Sequence, residues 1–144
     1  MLSRRGILSG IAALPLVSAL PQLARATPSL KIRDLYVGGG EFSEAAQSLV
    51  GQEVAIPGFM APPLKPDATF LVLTRRPMAV CPFCDNEADW PRDIVLVKLA
   101  GTIEWLPFNV AIEARGMLEL GTEVDEETGF VSRVRLVQAE VGAV

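Results

Sequence analysis

The feature that most constrains this chain is a period of two near its C-terminus. In "FNVAIEARGMLELGTEVDEETGFVSRVRLVQAEV", Val110, Ile112 and Ala114 alternate with Glu113 and Arg115. After the acidic turn "DEETG", a second apolar run holds Val131, Val134, Leu136 and Ala139, with Val134 and Leu136 keeping the alternation. Side chains on a strand point alternately to the two faces of a sheet, so this pattern needs a sheet with one buried face. Two such runs about one turn predict a long hairpin from Val110 to Val141. Val110, Ile112, Val134 and Leu136 should enter the core, and Glu113, Arg115, Arg133 and Arg135 should face outward.

Shorter runs upstream extend the sheet. "QEVAIPGFM" alternates and then breaks at Pro57-Gly58. "ATFLVLTR" and "DIVLVKLAG" are rich in β-branched and aromatic residues and bounded by proline, charge or glycine. One helix stands out in "SEAAQSLVGQ": Ser43 is a plausible N-cap, Ala45, Ala46 and Leu49 share a face, and Gly51 is the stop. Gly38 to Gly40 lack the Lys-Ser/Thr ending of a phosphate loop and read as a hinge. Five strands, one short helix and no repeat predict an all-β fold, a small five-stranded OB-like barrel.

The N-terminus sets the compartment. "MLSRRGILSGIAALPLVSALPQLARA" has Arg4 and Arg5 before an apolar stretch from Ile7 to Leu20, and Ala24-Arg25-Ala26 has the small-x-small pattern of a signal-peptidase site. "SRRGIL" resembles the twin-arginine motif. The apolar run is short and carries Pro15 and Pro21, which argues against a retained anchor or stable membrane insertion. The expected organisation is a cleaved export signal at 1–26, an extension with a short helix at 27–52, and the barrel at 53–144. The expected location is the periplasm. Cleavage removes Arg4, Arg5 and Arg25 and no acid, which takes the net charge from −4 to −7. So acidic a chain repels phosphate backbones, and nucleic acid is not an expected partner. No histidine occurs, which removes every Ser-His-Asp and Cys-His arrangement and every zinc site needing imidazole.

This order of elements also carries a resemblance. "GQEVAIPGFMAPPL", a following strand, a cysteine-containing loop and the final hairpin resemble a bacterial family of exported domains of unknown function. Its signature is a strand running into Gly-Phe-Met and a proline loop, here Gly58, Phe59, Met60 and Pro62. The resemblance covers roughly the last two-thirds of the chain and implies an OB-like barrel of the anticodon-binding type. Some relatives stand beside transport systems for metal supply, so it also implies a periplasmic protein or transporter as partner, or a metal ion. It implies no reaction.

Candidate chemistry centres on "AVCPFCDNEADW", which holds the only two cysteines, Cys81 and Cys84. Three readings stand. In an oxidising compartment the pair can close a local disulfide, with Pro82 presetting the turn. Reduced, two thiolates can bind zinc or copper(I), with Asp85 or Glu87 adding oxygen ligands and Asp89 nearby. The third reading is a thiol-disulfide oxidoreductase, with Cys81 as nucleophile and Cys84 as resolving thiol. Against it, Pro91 would stop a helix after the motif, and Asp85, Glu87 and Asp89 would raise a neighbouring thiol's pKa. The bridge comes first, in a binding or accessory protein without intrinsic catalysis and with no certain cofactor. Arg75 and Arg76 could pair with the downstream acids and hold the loop down, or simply form a solvated turn. Trp90 and Trp105 are expected to pack the barrel or line a groove on it, and Phe59 and Met60 to cap one end.

Overall fold

The computed structural model describes residues 25–63, 69–79, 93–102 and 104–144. The export signal as far as residue 24, and Cys81, Cys84, Asp85, Glu87, Asp89 and Trp90, lie outside the described residues. Five strands form one sheet: β1 Glu53–Met60, β2 Phe70–Thr74, β3 Ile94–Leu99, β4 Ala111–Val124 and β5 Val131–Ala143. They close on themselves in the order β1-β2-β3-β5-β4. Every neighbouring pair is antiparallel except β3 with β5, which run parallel and align Val97 with Leu136. The fold is therefore mostly β, as the alternation requires. Closure leaves the five described strands without a sheet edge running their full length.

The long hairpin forms as its pattern predicts. Ile112, Val134 and Leu136 have no exposed surface, and Val110 packs half-buried against the same cluster. Glu113 and Arg115 share the outer face, where the Arg115 guanidinium lies 2.8 Å from the Glu113 carboxylate. Arg135 differs. It is 5% exposed, although it stands on the face opposite Val134 and Leu136. The outer face is covered at this point by Glu119, Glu123 and the Gly121 carbonyl, which wrap the guanidinium.

β2 and β3 do not alternate, and the reason is burial on both faces. Leu71, Leu73, Val95 and Val97 join the barrel interior. Phe70, Val72, Ile94 and Leu96 form a second cluster on the outer side with Ala61, and Phe130 of the β4–β5 turn packs against it. The Phe70 and Phe130 rings lie 5.5 Å apart. Strands buried on both sides read as continuous apolar runs.

β1 does not break at Pro57-Gly58, as the sequence suggests, but runs through both residues paired with β4. Ala55 turns its N–H and C=O toward residues 28–30, giving and receiving hydrogen bonds of 2.9 Å. Residues two apart on a strand point their polar groups to the same side, so Pro57 faces that side too, away from β4. Its missing N–H therefore costs no ladder bond. Gly58 permits a close approach: a Cβ there would stand 2.7 Å from the Thr74 carbonyl oxygen.

The segment before β1 is part of the packed core. Leu30, Ile32, Leu35 and Ala46 are buried in the same cluster as the strand interiors. A 3-10 turn, Ile32–Asp34, precedes α1, Glu44–Ser48. Ser43 caps α1 by accepting from the Ala46 N–H at 3.1 Å, and Gly51 follows at φ +76°. Gly38 to Gly40 form the turn of a small hairpin closed by the Tyr36–Phe42 bridge, not a hinge. Arg133 of β5 lies over both rings, 5.6 Å from Tyr36 and 5.1 Å from Phe42, and fastens this hairpin to the barrel.

Candidate functional site

The connection carrying both cysteines leaves β2 and returns to β3, and its two ends are fixed. β2 and β3 are antiparallel neighbours paired from Phe70↔Lys98 to Thr74↔Ile94. Beyond the last pair, the Arg75 N–H donates to the Asp93 carbonyl at 3.0 Å. The Arg75 guanidinium also reaches the Asp93 carboxylate at 3.4 Å. Thr74, fully buried, holds the turn from inside. Its hydroxyl lies 3.2 Å from the Phe59 carbonyl oxygen and 2.8 Å from that of Arg76, within donating reach of both. Arg75 thus pairs with Asp93, at the foot of the connection, whereas Arg76 has no ion pair among the described residues and the acids that follow the cysteines lie outside them.

The same stem forms one wall of a groove of about 540 Å³. On one side of β1 the extension covers Ala55, and β2 takes over only at Phe59. Between them, Pro57 is paired on that side with no strand among the described residues, and there the groove opens beside Gly58. Lys31 and Arg33 line one wall, Arg75 and Arg76 the other, with Phe59 and Ile112 contributing apolar surface. Met60 is 1% exposed and belongs to the core, so Phe59 and Met60 do not act together as an end cap. Phe59 is half-buried and faces the groove.

A second groove, of about 670 Å³, lies where the β3–β4 connection passes the end of β5. Leu99, Leu106 and Val141 supply apolar walls, and Glu104 and Glu140 stand among the lining residues. Trp105 is 36% exposed on that connection, with Phe108 also exposed, so Trp105 does not pack the barrel. Gln138, at φ +50°, is the non-glycine residue with positive φ among those described, and it marks a bulge in β5 where Ala100 bonds to the Ala139 carbonyl.

Charge is organised elsewhere by a compact network. The Lys98 ammonium donates to Glu123 at 2.6 Å, and Arg135 reaches Glu119 at 3.2 Å and Glu123 at 3.3 Å. The hydrogen bond from Lys98 holds the Glu123 carboxyl below the ordinary carboxylate range, helped by the Arg135 charge and opposed by burial. Asp125 is also lowered, chiefly because Thr128 donates to it from hydroxyl and backbone, which closes the hairpin turn. Among the described residues, no three of His, Cys, Asp and Glu are grouped to hold a metal.

Sequence reasoning singled out Arg75 and Arg76 but not Lys31 and Arg33 on the opposite wall. Lys31 and Arg33 flank a buried Ile32, an alternation that could have marked both cations as facing outward together. Nothing in sequence distance brings them to Arg75 and Arg76. Only closure of the barrel does that.

Fold and groove together define a small closed barrel of five strands with a basic, apolar-walled groove beside the β2–β3 stem. Its fold is similar to the crystal structure of a DUF3299 family protein from Pseudomonas aeruginosa PAO1, with a TM-score of 0.51 and 17% identity over 83% of this chain and 97% of that one. That neighbour is a bacterial, sheet-rich protein of unknown function. No family model matches the chain, and no curated protein matches it.

Proposed function

We propose that this protein is a periplasmic binding or accessory domain on an OB-like barrel, and that it displays the Cys81–Cys84 connection from a rigid stem. The observation that carries this reading is the anchored return of β2 into β3 across Arg75 and Asp93. A binding loop works best when its ends are held by a rigid scaffold. The strand order β1-β2-β3-β5-β4 with a parallel β3–β5 closure supports the OB-like description. The DUF3299 neighbour supports the same fold and brings no reaction with it.

The stem also weighs against a thioredoxin-like enzyme. That chemistry places the first thiolate at the start of a helix that crosses over to a parallel strand. Here the strands on either side of "CPFC" are adjacent and antiparallel. The pair is read instead as a local disulfide, or, when reduced, as a site responsive to zinc or copper(I) with Asp85 or Glu87 assisting. A transporter or another periplasmic protein is the partner this reading expects.

Intact-mass spectrometry of periplasmic material, native and denatured, tests all three parts. The expected mass begins near Thr27, is lighter by one disulfide, and carries no metal. Free thiols with no metal would overturn the bridge. A bound metal would move the site to the metal-responsive form, and a mixed disulfide trapped by Cys84→Ser would establish the oxidoreductase. Changing Arg4 and Arg5 to Lys should leave the precursor in the cytoplasm. Unchanged delivery would assign the general secretory route.

A further inference from the structure

The groove beside the stem concentrates a charge that the rest of the chain opposes. The protein is acidic, with 17 acidic residues against 13 basic ones, yet Lys31, Arg33, Arg75 and Arg76 all line this one groove. No acidic side chain is among its described lining residues. Arg33 and Arg75 lean on Asp34 and Asp93, at 3.5 and 3.4 Å. Lys31 and Arg76 take part in no ion pair among the described residues. Cations held near one another repel, and an anion placed between them relieves that repulsion. Arginine forks match carboxylate and phosphate oxygens, and lysine adds a point charge.

The remaining walls are apolar. Phe59, Pro57 and Ile112 offer surface to a hydrocarbon body, and a volume of about 540 Å³ lies in the range of small-molecule sites. Pro57 leaves β1 without an N–H donor on this side, so a strand-like peptide would find an incomplete ladder. That favours a small ligand over an added strand. We propose that the groove binds an amphipathic organic anion, with a carboxylate or phosphate head between Arg76 and Lys31 and an apolar body along Phe59 and Ile112. This deepens the binding reading and does not depend on the state of the cysteines.

Titration by backbone NMR tests it, using the mature chain and, in parallel, its Cys81→Ser/Cys84→Ser variant. The probes are octanoate and octyl phosphate, with octylamine and inorganic phosphate as controls. Both chains should give saturable shifts at Phe59, Arg76 and Ala111 with one or both anionic probes, and the tighter probe identifies the head group. Lys31→Glu with Arg76→Glu should weaken binding by about tenfold or more, and Arg76→Lys should retain most of it. Lys31 and Arg76 are both exposed, and an unchanged spectrum away from the groove would establish that the variants fold. Equal binding of octylamine would reduce the groove to an apolar patch, and equal binding of phosphate to an unspecific charge. Either result, shifts elsewhere, or no saturable shift would overturn the proposal. Binding lost only in the double-Ser variant would also overturn it, by making the site a property of the cysteine connection. Failure in both chains would leave the reading of that connection standing.

Discussion

The Nε of Arg135 lies 3.3 Å from Glu123 Oε2, and the guanidinium side chain is 6% exposed. Its Nη1 donates to the Gly121 carbonyl at 2.7 Å and lies near Ser132. A cation so far removed from water is tolerated only when it is paired and hydrogen-bonded. The carboxylates on the other side keep about two-fifths of their surface, so they do not share the burden equally. Removing the acids should therefore be worse than removing the cation. Glu119→Gln with Glu123→Gln, which strands a buried charge, should cost about 3–5 kcal/mol, while Arg135→Met should cost clearly less. Urea midpoints of the two variants measure the difference, and equal losses would contradict this asymmetry.

Acid should weaken the same region. Glu123 and Asp125 have folded-state pKa values below their ordinary ones, Glu123 first through the Lys98 hydrogen bond and Asp125 first through the Thr128 hydroxyl. A depressed carboxyl stabilises the fold above its unfolded value and loses that contribution as pH falls through the folded value. Stability should thus be level near neutrality and decline below the ordinary carboxylate range. Both groups are partly solvated, so the decline attributable to them is modest. Lys98→Met should remove most of the Glu123 share and leave the Asp125 share, which urea titrations at a series of pH values between neutral and strongly acidic would reveal.

Gly58 should resist even the smallest side chain. The added Cβ would press on the Thr74 carbonyl at 2.7 Å and on Leu73 Cγ at 2.9 Å, where β1 and β2 make their short contact. A backbone oxygen cannot swing aside, so Gly58→Ala should cost about 1–3 kcal/mol. Hydrogen exchange at Ala61, whose N–H donates to Val72, should accelerate. Gly142→Ala meets nothing within 4 Å and should be neutral or slightly stabilising.

Ser43 joins two parts of the extension at once. Its oxygen accepts from the Ala46 N–H, and its hydroxyl donates to the Asp34 carbonyl at 2.6 Å. Ser43→Ala should lower stability by about 1–2 kcal/mol, and Ser43→Asp should restore the cap but not the donation. Thermal midpoints in the order wild type, Asp, Ala would support both roles.

The alternation of apolar and polar residues determined the β class, the long hairpin and the inward set Ile112, Val134 and Leu136, because the strand period is a local property of the chain. The Ser43 cap and the Gly51 stop were legible for the same reason. The cysteine pair could be placed between two strands, and its chemistry has to be sought by experiment. Burial of Arg135 was not legible. It depends on the register that sets Glu119 opposite Arg135 and on the irregularity that brings Glu123 alongside, and register is a relation between strands. Pro57-Gly58 looked like a break because local propensity counts a missing N–H as a loss. Tertiary structure decided otherwise by turning the Pro57 nitrogen away from β4, to a side where no described strand pairs with it. The basic groove is the clearest case: Lys31 and Arg33 stand far in sequence from Arg75 and Arg76, and only closing the sheet makes them neighbours. Charges that distant carry no periodic signal, so their meeting is a consequence of the fold alone.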